Sequence, residues 1–342
     1  MSSSQPKERT SPPTIDVKTL MARSFNPICY IVPGYVAEGL TLLAGAPKLG
    51  KSWLCLEIAL AVASGGTCLG GVQCKKGHVL YLALEDNERR LQSRIRTVWA
   101  RESQAREALP EGLDFATAWH RSDQGGLSAI REWLTEHPLA KVVIVDVLAA
   151  FKPPRRKDQQ QYDMDYASLR ELQQIGAENG IAIIVAHHTR KGVGDFDPFE
   201  AISGTQGLSG AADTALVLRR DGNGTTLYGR GRDIEEFETA LEFDRKTCRW
   251  RVLGPAIDVL RTSERTQILT VLERAGRRPM KPAEIADKAG KSSDSIRQLL
   301  FKMTKVGEVI RTKQGYLHPD HSDHGDNAES SNTIDDSDTD GW

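Results

Sequence analysis

Residues 42–54, LLAGAPKLGKSWL, contain the spacing G-x-x-x-x-G-K-[ST]. Glycines at these positions let backbone N–H groups surround a phosphate. The lysine supplies a cation for the β- and γ-phosphates, and the following hydroxyl is a Mg²⁺ ligand. We therefore predict that this loop binds ATP with Mg²⁺, an ordinary glycine-rich turn being the alternative. The predicted nucleotide contacts are Gly45, Ala46, Pro47, Lys48, Leu49, Gly50, Lys51, Ser52 and Trp53.

Hydrolysis also requires carboxylates near the phosphates. Asp146 ends the apolar run KVVIVDV, where it is predicted to hold Mg²⁺ together with Ser52. The next residue is Val147, so the water-activating base must come from elsewhere. Glu85 follows the apolar run HVLYLAL and is the predicted base, a surface acid at a strand end being the alternative. Asp86 is a candidate cap for the next helix.

These residues need a scaffold that brings several strand ends together. Near-continuous apolar runs alternate with helical patterns, which is typical of a parallel sheet covered on both faces. The predicted strands are 40–46, 78–84, 141–147, 181–187 and 214–220, and the predicted helices are 51–64, 86–107, 127–136 and 162–179. Three alternating runs at 225–232, 239–244 and 248–254 predict an antiparallel edge. The fold class is α/β.

A second unit is predicted at 262–318. Its first helix has Ser263 as a possible N-cap and stops at Gly276, its second stops at Gly290, and its third begins after Ser292 or Ser293. Two short strands turning at 313–315 complete a small α+β winged-helix pattern. Such a domain places a helix in a DNA groove, although winged helices also dock proteins. The predicted DNA contacts here are Arg297, Lys302, Arg311 and Lys313.

Composition indicates the remaining organisation. Residues 1–27 are predicted to be a disordered leader, 28–256 the main domain, and 319–342 a disordered acidic tail. The tail carries eight acids and no Lys or Arg, which leaves 38 acids against 45 basic residues elsewhere. A basic body with an acidic tail suits a nucleic-acid protein, though the tail is equally explained as a solvated terminus. We expect a cytoplasmic protein, because no apolar signal core or membrane-length apolar run is present.

The ordered motifs GAPKLGKS, YLALED, VVIVDVLAAF, IIVAHHTRK, SGTQGLSGAADTALVL and YGRGR resemble the RecA/DnaB-like branch of P-loop ATPases. The resemblance is strongest to the RepA-type helicase ATPases of plasmids and mobile elements, an AAA_25-like group, and covers residues 30–250. It implies a RecA-like fold in which Glu85 activates water. It also implies that His188, beside His187, senses the γ-phosphate. Structural histidines or a metal site are the alternatives for this pair.

Arg230 and Arg232 are separated by one residue in a predicted strand, so we expect both on one face. In the ring-shaped RecA/DnaB-like ATPases that this sequence resembles, arginines with this spacing enter the neighbouring subunit's site and stabilise the transferred phosphate. Surface ion pairs are the alternative. The resemblance therefore implies a homo-oligomer, with six subunits expected.

Two loops are predicted to carry single-stranded DNA in such a ring, because basic side chains neutralise phosphates and aromatic rings stack on bases. A solvated charge run is the alternative for the first loop. The candidates are Lys152, Arg155, Arg156 and Lys157 in the first loop, and Arg190 and Lys191 with Phe196 and Phe199 in the second.

The sequence thus favours a DNA-dependent ATPase that translocates along or unwinds DNA in replication of a plasmid, phage or mobile element. A nucleotide-switched DNA-binding adaptor or loader is the second possibility. A small-molecule kinase is the third, but no lid or acceptor pocket is evident. No membrane partner is expected.

Overall fold

The computed structural model describes residues 14–100, 108–154, 161–189, 197–202, 210–222 and 224–321, and within this range it describes only the backbone of 161–165. The chain divides into two compact units between Leu253 and Gly254. Each unit has its own hydrophobic core. No described helix is long and apolar enough to cross a membrane.

The first unit is built on a nine-stranded sheet with the strand order β13-β12-β11-β10-β3-β9-β8-β6-β7. Six neighbouring strands are parallel. They are β3 (Gly39–Gly45), β6 (His78–Ala83), β7 (Leu113–Ala116), β8 (Ala140–Asp146), β9 (Ala182–His188) and β10 (Thr214–Asp221). This arrangement confirms the predicted α/β class and adds β7, a strand that the apolar pattern does not predict.

The antiparallel edge is also confirmed, since β11 pairs antiparallel with β10 and with β12. Its strands are β11 (Gly224–Gly231), β12 (Phe237–Asp244) and β13 (Arg249–Pro255). The described part of this unit also contains two small hairpins that the sequence pattern does not indicate. They are β1 (Tyr30–Val32) with β2 (Val36–Ala37), and β4 (Thr67–Cys68) with β5 (Val72–Gln73).

Alternate residues of the parallel strands enter separate hydrophobic clusters, because side chains of a strand point to opposite faces. Val142 and Ile144 of β8 pack with α2, whereas Val143 and Val145 pack with α4 and α6. Both faces are therefore covered. The helices of this unit are α1 (Val17–Ala22), α2 (Lys51–Ser64), α3 (Glu88–Trp99), α4 (Gly126–Glu136), α5 (Leu148–Phe151) and α6 (Gln161–Asn179).

Helix α1 lies inside the segment for which the sequence predicts disorder. None of its residues is buried, and its N-cap is Asp16, whose carboxylate accepts a hydrogen bond from Thr19 N.

The second unit contains α7 (Ala256–Ala275), α8 (Pro282–Ala289), α9 (Ser293–Lys305) and a hairpin of β14 (Ile310–Thr312) with β15 (Gly315–Leu317). Ser292 caps α9, one of the two predicted caps, and Leu299, Leu300 and Met303 of this helix are buried. The predicted cap at Ser263 is wrong. Helix α7 begins seven residues earlier, directly after Pro255, whose fixed φ suits the entry to a helix. The winged-helix assignment itself stays a prediction.

Candidate nucleotide-binding site

The glycine-rich loop joins the end of β3 to the start of α2, as phosphate binding requires. Two of its glycines are also required by packing behind the loop. A Cβ on Gly45 would lie 2.7 Å from the Leu218 carbonyl oxygen. Gly50 has φ 102°, and a Cβ there would lie 2.7 Å from Trp250. The motif therefore depends on its surroundings as well as on space for a phosphate.

Lys51 is buried at the start of α2. Its Nζ donates to the carbonyl oxygens of Gly45 at 2.8 Å and Ala46 at 3.0 Å, and lies 3.1 Å from His188 Nδ1. Burial lowers the pKa of Lys51, and nearby Asp146 opposes this change. The ammonium group of Lys51 therefore donates to two backbone carbonyl oxygens, which phosphate oxygens can replace as acceptors.

His188 connects this lysine to the predicted base. Because Lys51 donates, His188 Nδ1 is the accepting nitrogen, and Nε2 then carries the hydrogen. His188 Nε2 lies 3.6 Å from Glu85 Oε2. The three predicted residues thus form one row at the ends of adjacent elements, which supports a link between the state of the phosphate and that of the base.

Glu85 lies two residues beyond the end of β6, and its side chain is 57% exposed. The carboxylate is thus accessible to a water molecule. The predicted cap at Asp86 is wrong. Asn87 caps α3 by accepting from Arg90 N at 2.9 Å, whereas Asp86 is held by ion pairs to Arg90 and Arg94. The Asp86 carboxylate is thus engaged by two arginines of α3 and does not cap the helix.

Asp146 ends β8 and is buried beside the loop. The Tyr81 hydroxyl donates to Asp146 Oδ2 at 2.8 Å. Burial raises the pKa of Asp146, while the hydroxyls of Tyr81 and Ser52 counteract the rise. Tyr81 is a contact that sequence reasoning missed, although a tyrosine within an aliphatic buried strand signals a partner for its hydroxyl.

The surroundings of Asp146 fit a divalent cation. Its Oδ1 is buried and has no hydrogen-bond partner among the described residues. An unpartnered carboxylate oxygen close to a serine hydroxyl matches the oxygen ligands that Mg²⁺ takes beside nucleotide phosphates. Ser52 and Asp146 are therefore the residues that would hold Mg²⁺.

A cavity of about 670 Å³ opens at the loop, which is large enough for a nucleotide. One wall is formed by residues 48–53, Arg94 and His188, with Arg94 lying 5.1 Å from the Trp53 ring centroid. The rest of the lining comes from the end of β10 and from the antiparallel edge, and was not predicted from the sequence. Its residues are Arg220, Gly224, Thr225, Leu241, Glu242, Phe243, Arg245, Trp250 and Leu253.

Arg230 and Arg232 lie beside the starts of the parallel strands, at the edge of the sheet opposite the strand ends that carry the loop. Gly231 pairs with Thr214, which pairs with Thr41 near the start of β3. The loop begins four residues further along β3, on the order of 13 Å away along the strand. These arginines are therefore remote from their own chain's loop.

The two arginines also have different surroundings. Strand β11 ends at Gly231, so the one-face relation expected within a strand does not extend to Arg232. Arg230 pairs with Glu236 at 2.7 Å and Asp197 at 3.4 Å, and its guanidinium lies 4.4 Å from the Phe199 ring centroid. Arg232 pairs with Asp213 at 3.3 Å.

The predicted DNA contacts are only partly within the described residues. Arg155, Arg156, Lys157, Arg190, Lys191 and Phe196 lie outside them. Lys152 is half-buried after α5, and its carbonyl oxygen accepts from Arg121 Nη1 at 2.5 Å. In the second unit, Arg297 pairs with Asp294 at 3.2 Å. Its companions Lys302, Arg311 and Lys313 are exposed.

Comparisons with known proteins agree with this architecture. A solved ATPase domain superposes with a TM-score of 0.50 at 15% identity, covering 64% of this chain and 85% of that chain. A DnaB-like replicative helicase, described with its interactions with primase, superposes with a TM-score of 0.50 at 14% identity, covering 64% of this chain and 58% of that chain. These likenesses establish the RecA-like fold.

Residues 6–194, more than half of the sequence, match the family described as AAA domain, AAA_25. This match includes the loop, Glu85, Asp146 and His188. The chain therefore belongs to the AAA_25 family and is a P-loop ATPase.

Proposed function

We propose that this chain is the ATP-hydrolysing subunit of a homo-oligomeric ring, hexameric in its working form, that moves along or unwinds DNA during replication of a plasmid, phage or mobile element. The observation that carries the proposal is the row of Lys51, His188 and Glu85 beside the cavity. Asp146 adds an oxygen without a partner in the described part of the chain. These are the groups that triphosphate cleavage requires.

In the proposed reaction, Lys51 exchanges the carbonyl oxygens of Gly45 and Ala46 for oxygens of the β- and γ-phosphates. Glu85 accepts a proton from a water molecule as that water attacks the γ-phosphorus. The bond to the β,γ-bridging oxygen breaks, and ADP and phosphate leave. When bound at Ser52 and Asp146, Mg²⁺ neutralises phosphate charge.

His188 is proposed to report this event to the DNA loop. Its contacts join Lys51 to Glu85, so loss of the γ-phosphate changes the charge on both sides of the imidazole. The next residue, Thr189, is anchored through its N–H to the Gly45 carbonyl oxygen at 3.1 Å. The predicted DNA contacts Arg190 and Lys191 follow directly in the sequence.

A second copy is proposed to complete the site. Arg230 and Arg232 are too remote to reach the loop of their own chain, and we propose that they add positive charge near the γ-phosphate in another copy. A neighbouring copy that presents this edge to the cavity would supply them. A repeated contact of this head-to-tail kind forms a ring when the rotation between neighbours closes, and an open filament when it does not; we propose the closed form.

DNA is proposed to contact Lys152, Arg155, Arg156, Lys157, Arg190 and Lys191. The second unit would add Arg297, Lys302, Arg311 and Lys313. These residues neutralise phosphates without reading sequence. The proposal predicts binding that weakens as salt concentration rises.

The decisive experiment compares the full chain with Lys51→Ala and with Lys75→Ala, which replaces an exposed lysine outside the cavity. We measure ATP hydrolysis with and without single-stranded DNA, displacement of a fluorescent strand from a fork, and particle size. Wild type and Lys75→Ala should hydrolyse ATP and displace the strand, and Lys51→Ala should do neither.

The other outcomes distinguish the rival functions. ATP-dependent DNA binding without displacement would indicate an adaptor or loader. Transfer of phosphate to a metabolite would indicate a kinase. A fully active monomer would contradict the ring.

A further inference from the structure

We propose that Trp250 is a positioning residue for the phosphate-binding loop, held in place by the buried carboxylate of Glu57. This inference rests on the proposed binding of ATP. It assigns a role to the last strand of the sheet, which lies four strands away from β3.

Trp250 meets the loop at its last glycine. The side chain is 2% exposed, and its Nε1–H donates to the Gly50 carbonyl oxygen at 3.2 Å. The ring also occupies the space beside the Gly50 Cα, since a Cβ there would lie 2.7 Å from Trp250 Cζ2. The indole thus contacts this residue through both a hydrogen bond and close packing.

The orientation of the Gly50 carbonyl group sets the direction of the next backbone N–H, that of Lys51, which we expect to face the phosphate. Gly50 O also accepts the first hydrogen bond of α2, from Leu54 N at 3.1 Å. In a trans peptide, the C=O and the following N–H point in opposite directions. With the Gly50 carbonyl held between Trp250 and Leu54, the N–H of Lys51 is directed away from them, out of the start of the helix, where a helix binds anions.

Glu57 holds the strand that carries Trp250. It lies in α2, six residues after Lys51, and its side chain is 0% exposed. Its carboxylate accepts from Trp250 N at 2.9 Å, Leu69 N at 3.0 Å and Arg249 Nε at 3.2 Å. One buried group therefore joins the loop helix to β13 and to the β4–β5 turn.

These contacts form a closed circuit. Gly50 contacts Trp250, Trp250 contacts Glu57 through its backbone, and Glu57 belongs to the helix that begins at Lys51. Loss of these partners would leave a buried charge uncompensated and destabilise the fold, so the contacts of Glu57 depend on one another. Its consequence is a loop whose donors are oriented before the nucleotide arrives.

The test uses Trp250→Phe, which retains an aromatic ring and removes the N–H donor. The matched control is Trp119→Phe, because Trp119 Nε1 donates to another glycine carbonyl, Gly126 O, at 3.0 Å, far from the loop in the sequence. Affinity for a fluorescent ATP analogue, the kcat and KM of ATP hydrolysis, and thermal unfolding are measured for both.

We expect Trp250→Phe to weaken nucleotide binding about 3- to 10-fold, the effect of one lost hydrogen bond. KM should rise with little change in kcat, because the donors serve the ground state and the transition state alike. Trp119→Phe should leave affinity and KM unchanged. Glu57→Gln, which replaces one acceptor oxygen by a donor, should raise KM in the same direction.

A wild-type chain that fails to bind the analogue contradicts the proposed function. A wild-type chain that binds, with Trp250→Phe binding equally well, overturns only the positioning role. Equal losses of affinity in Trp250→Phe and Trp119→Phe would also overturn it, because the effect would then be general. If Trp250→Phe fails to fold, unchanged KM in folded Glu57→Gln overturns the inference and a raised KM supports it.

Discussion

The edge at which the parallel strands end, the carboxyl edge, and the edge at which they begin, the arginine edge, differ in how their charged side chains are partnered. At the carboxyl edge, His188 contacts both Lys51 and Glu85, and Asp146 keeps an oxygen unpartnered by any described residue. At the opposite edge, Arg230 and Arg232 are each neutralised by acids of their own chain. Under the proposed function, the carboxyl edge would bind the nucleotide, and the arginine edge would exchange its ion pairs for contacts to a neighbour's phosphates.

The acids at the arginine edge differ in how firmly they are held. Asp213 also accepts from Leu40 N at 2.9 Å and Gln173 Nε2 at 2.7 Å, so it keeps partners when Arg232 departs. Glu236 is exposed and makes a surface ion pair with Arg230, which is worth little in water. In the proposed ring, release of the two arginines from these acids would therefore have a modest cost.

The largest expected effect comes from breaking the arginine edge. Arg230→Ala and Arg232→Ala should each lower the rate of ATP hydrolysis on the order of 10³-fold, because they remove charge that stabilises the transferred phosphate. ATP binding should persist. Arg278→Ala, which removes the exposed ion pair to Glu284, is the control and should leave hydrolysis unchanged.

Mixing variants separates the two edges further. Subunits with Arg232→Ala keep an intact carboxyl edge, whereas subunits with Glu85→Gln keep intact arginines. Their mixture should recover part of the wild-type rate where a Glu85→Gln subunit donates arginines to an Arg232→Ala neighbour. A mixture no more active than its components would falsify the assignment of these arginines to a neighbour's site.

The next effect comes from the carboxyl edge. Glu85→Gln should reduce ATP hydrolysis roughly 10²-fold while ATP binding is retained, because the base is lost and the loop is not. Glu88→Gln, three residues along and exposed at the start of α3, is the control. An unchanged rate in Glu85→Gln would show that another group activates the water.

A smaller effect is expected at His188. His188→Ala should lower DNA-stimulated hydrolysis about tenfold, the value of one hydrogen bond to a charged group, and should leave basal hydrolysis less affected. His120→Ala provides an exposed histidine as control. Equal losses in stimulated and basal rates would argue that His188 supports the site without reporting to the DNA.

The smallest effect is a pH dependence. Burial raises the pKa of Asp146 above its ordinary value of 3.8, so the folded protein binds this proton more tightly than the unfolded chain does. Protonation on acidification therefore favours the fold but removes the Mg²⁺ ligand. Mg²⁺-dependent ATP binding should fall by at most about tenfold per pH unit below the raised pKa. In Asp146→Asn, this decrease of ATP binding on acidification should be absent.

Sequence patterns predicted the buried elements well and long-range contacts poorly. Continuous apolar runs identify the central strands, and the loop motif marks both the end of β3 and the start of α2. The sequence pattern did not predict β7, because its four residues, LDFA, include Asp114 and lack a continuous apolar run. Asn87, not Asp86, caps α3, and Asp86 instead forms ion pairs with Arg90 and Arg94 of that helix, which the spacing of cap residues does not reveal.

The same limit applies to the candidate site. Lys51, Asp146, Glu85 and His188 follow from motifs at strand ends, whose convergence is a property of parallel sheets. Tyr81, Glu57 and Trp250 act through partners far away in the chain. Trp250 is separated from Gly50 by 200 residues, and local spacing cannot reveal such a pair.

The hydrogen bonds of Lys51 to Gly45 and Ala46 have a thermodynamic consequence. The ammonium already has two carbonyl acceptors, and in the proposed binding of ATP the phosphate oxygens would replace them. Affinity at this lysine is then governed by the difference between carbonyl and phosphate oxygens, so a neutral or singly charged mimic of the γ-phosphate has little to offer in exchange. Discrimination between triphosphate and diphosphate begins with that competition.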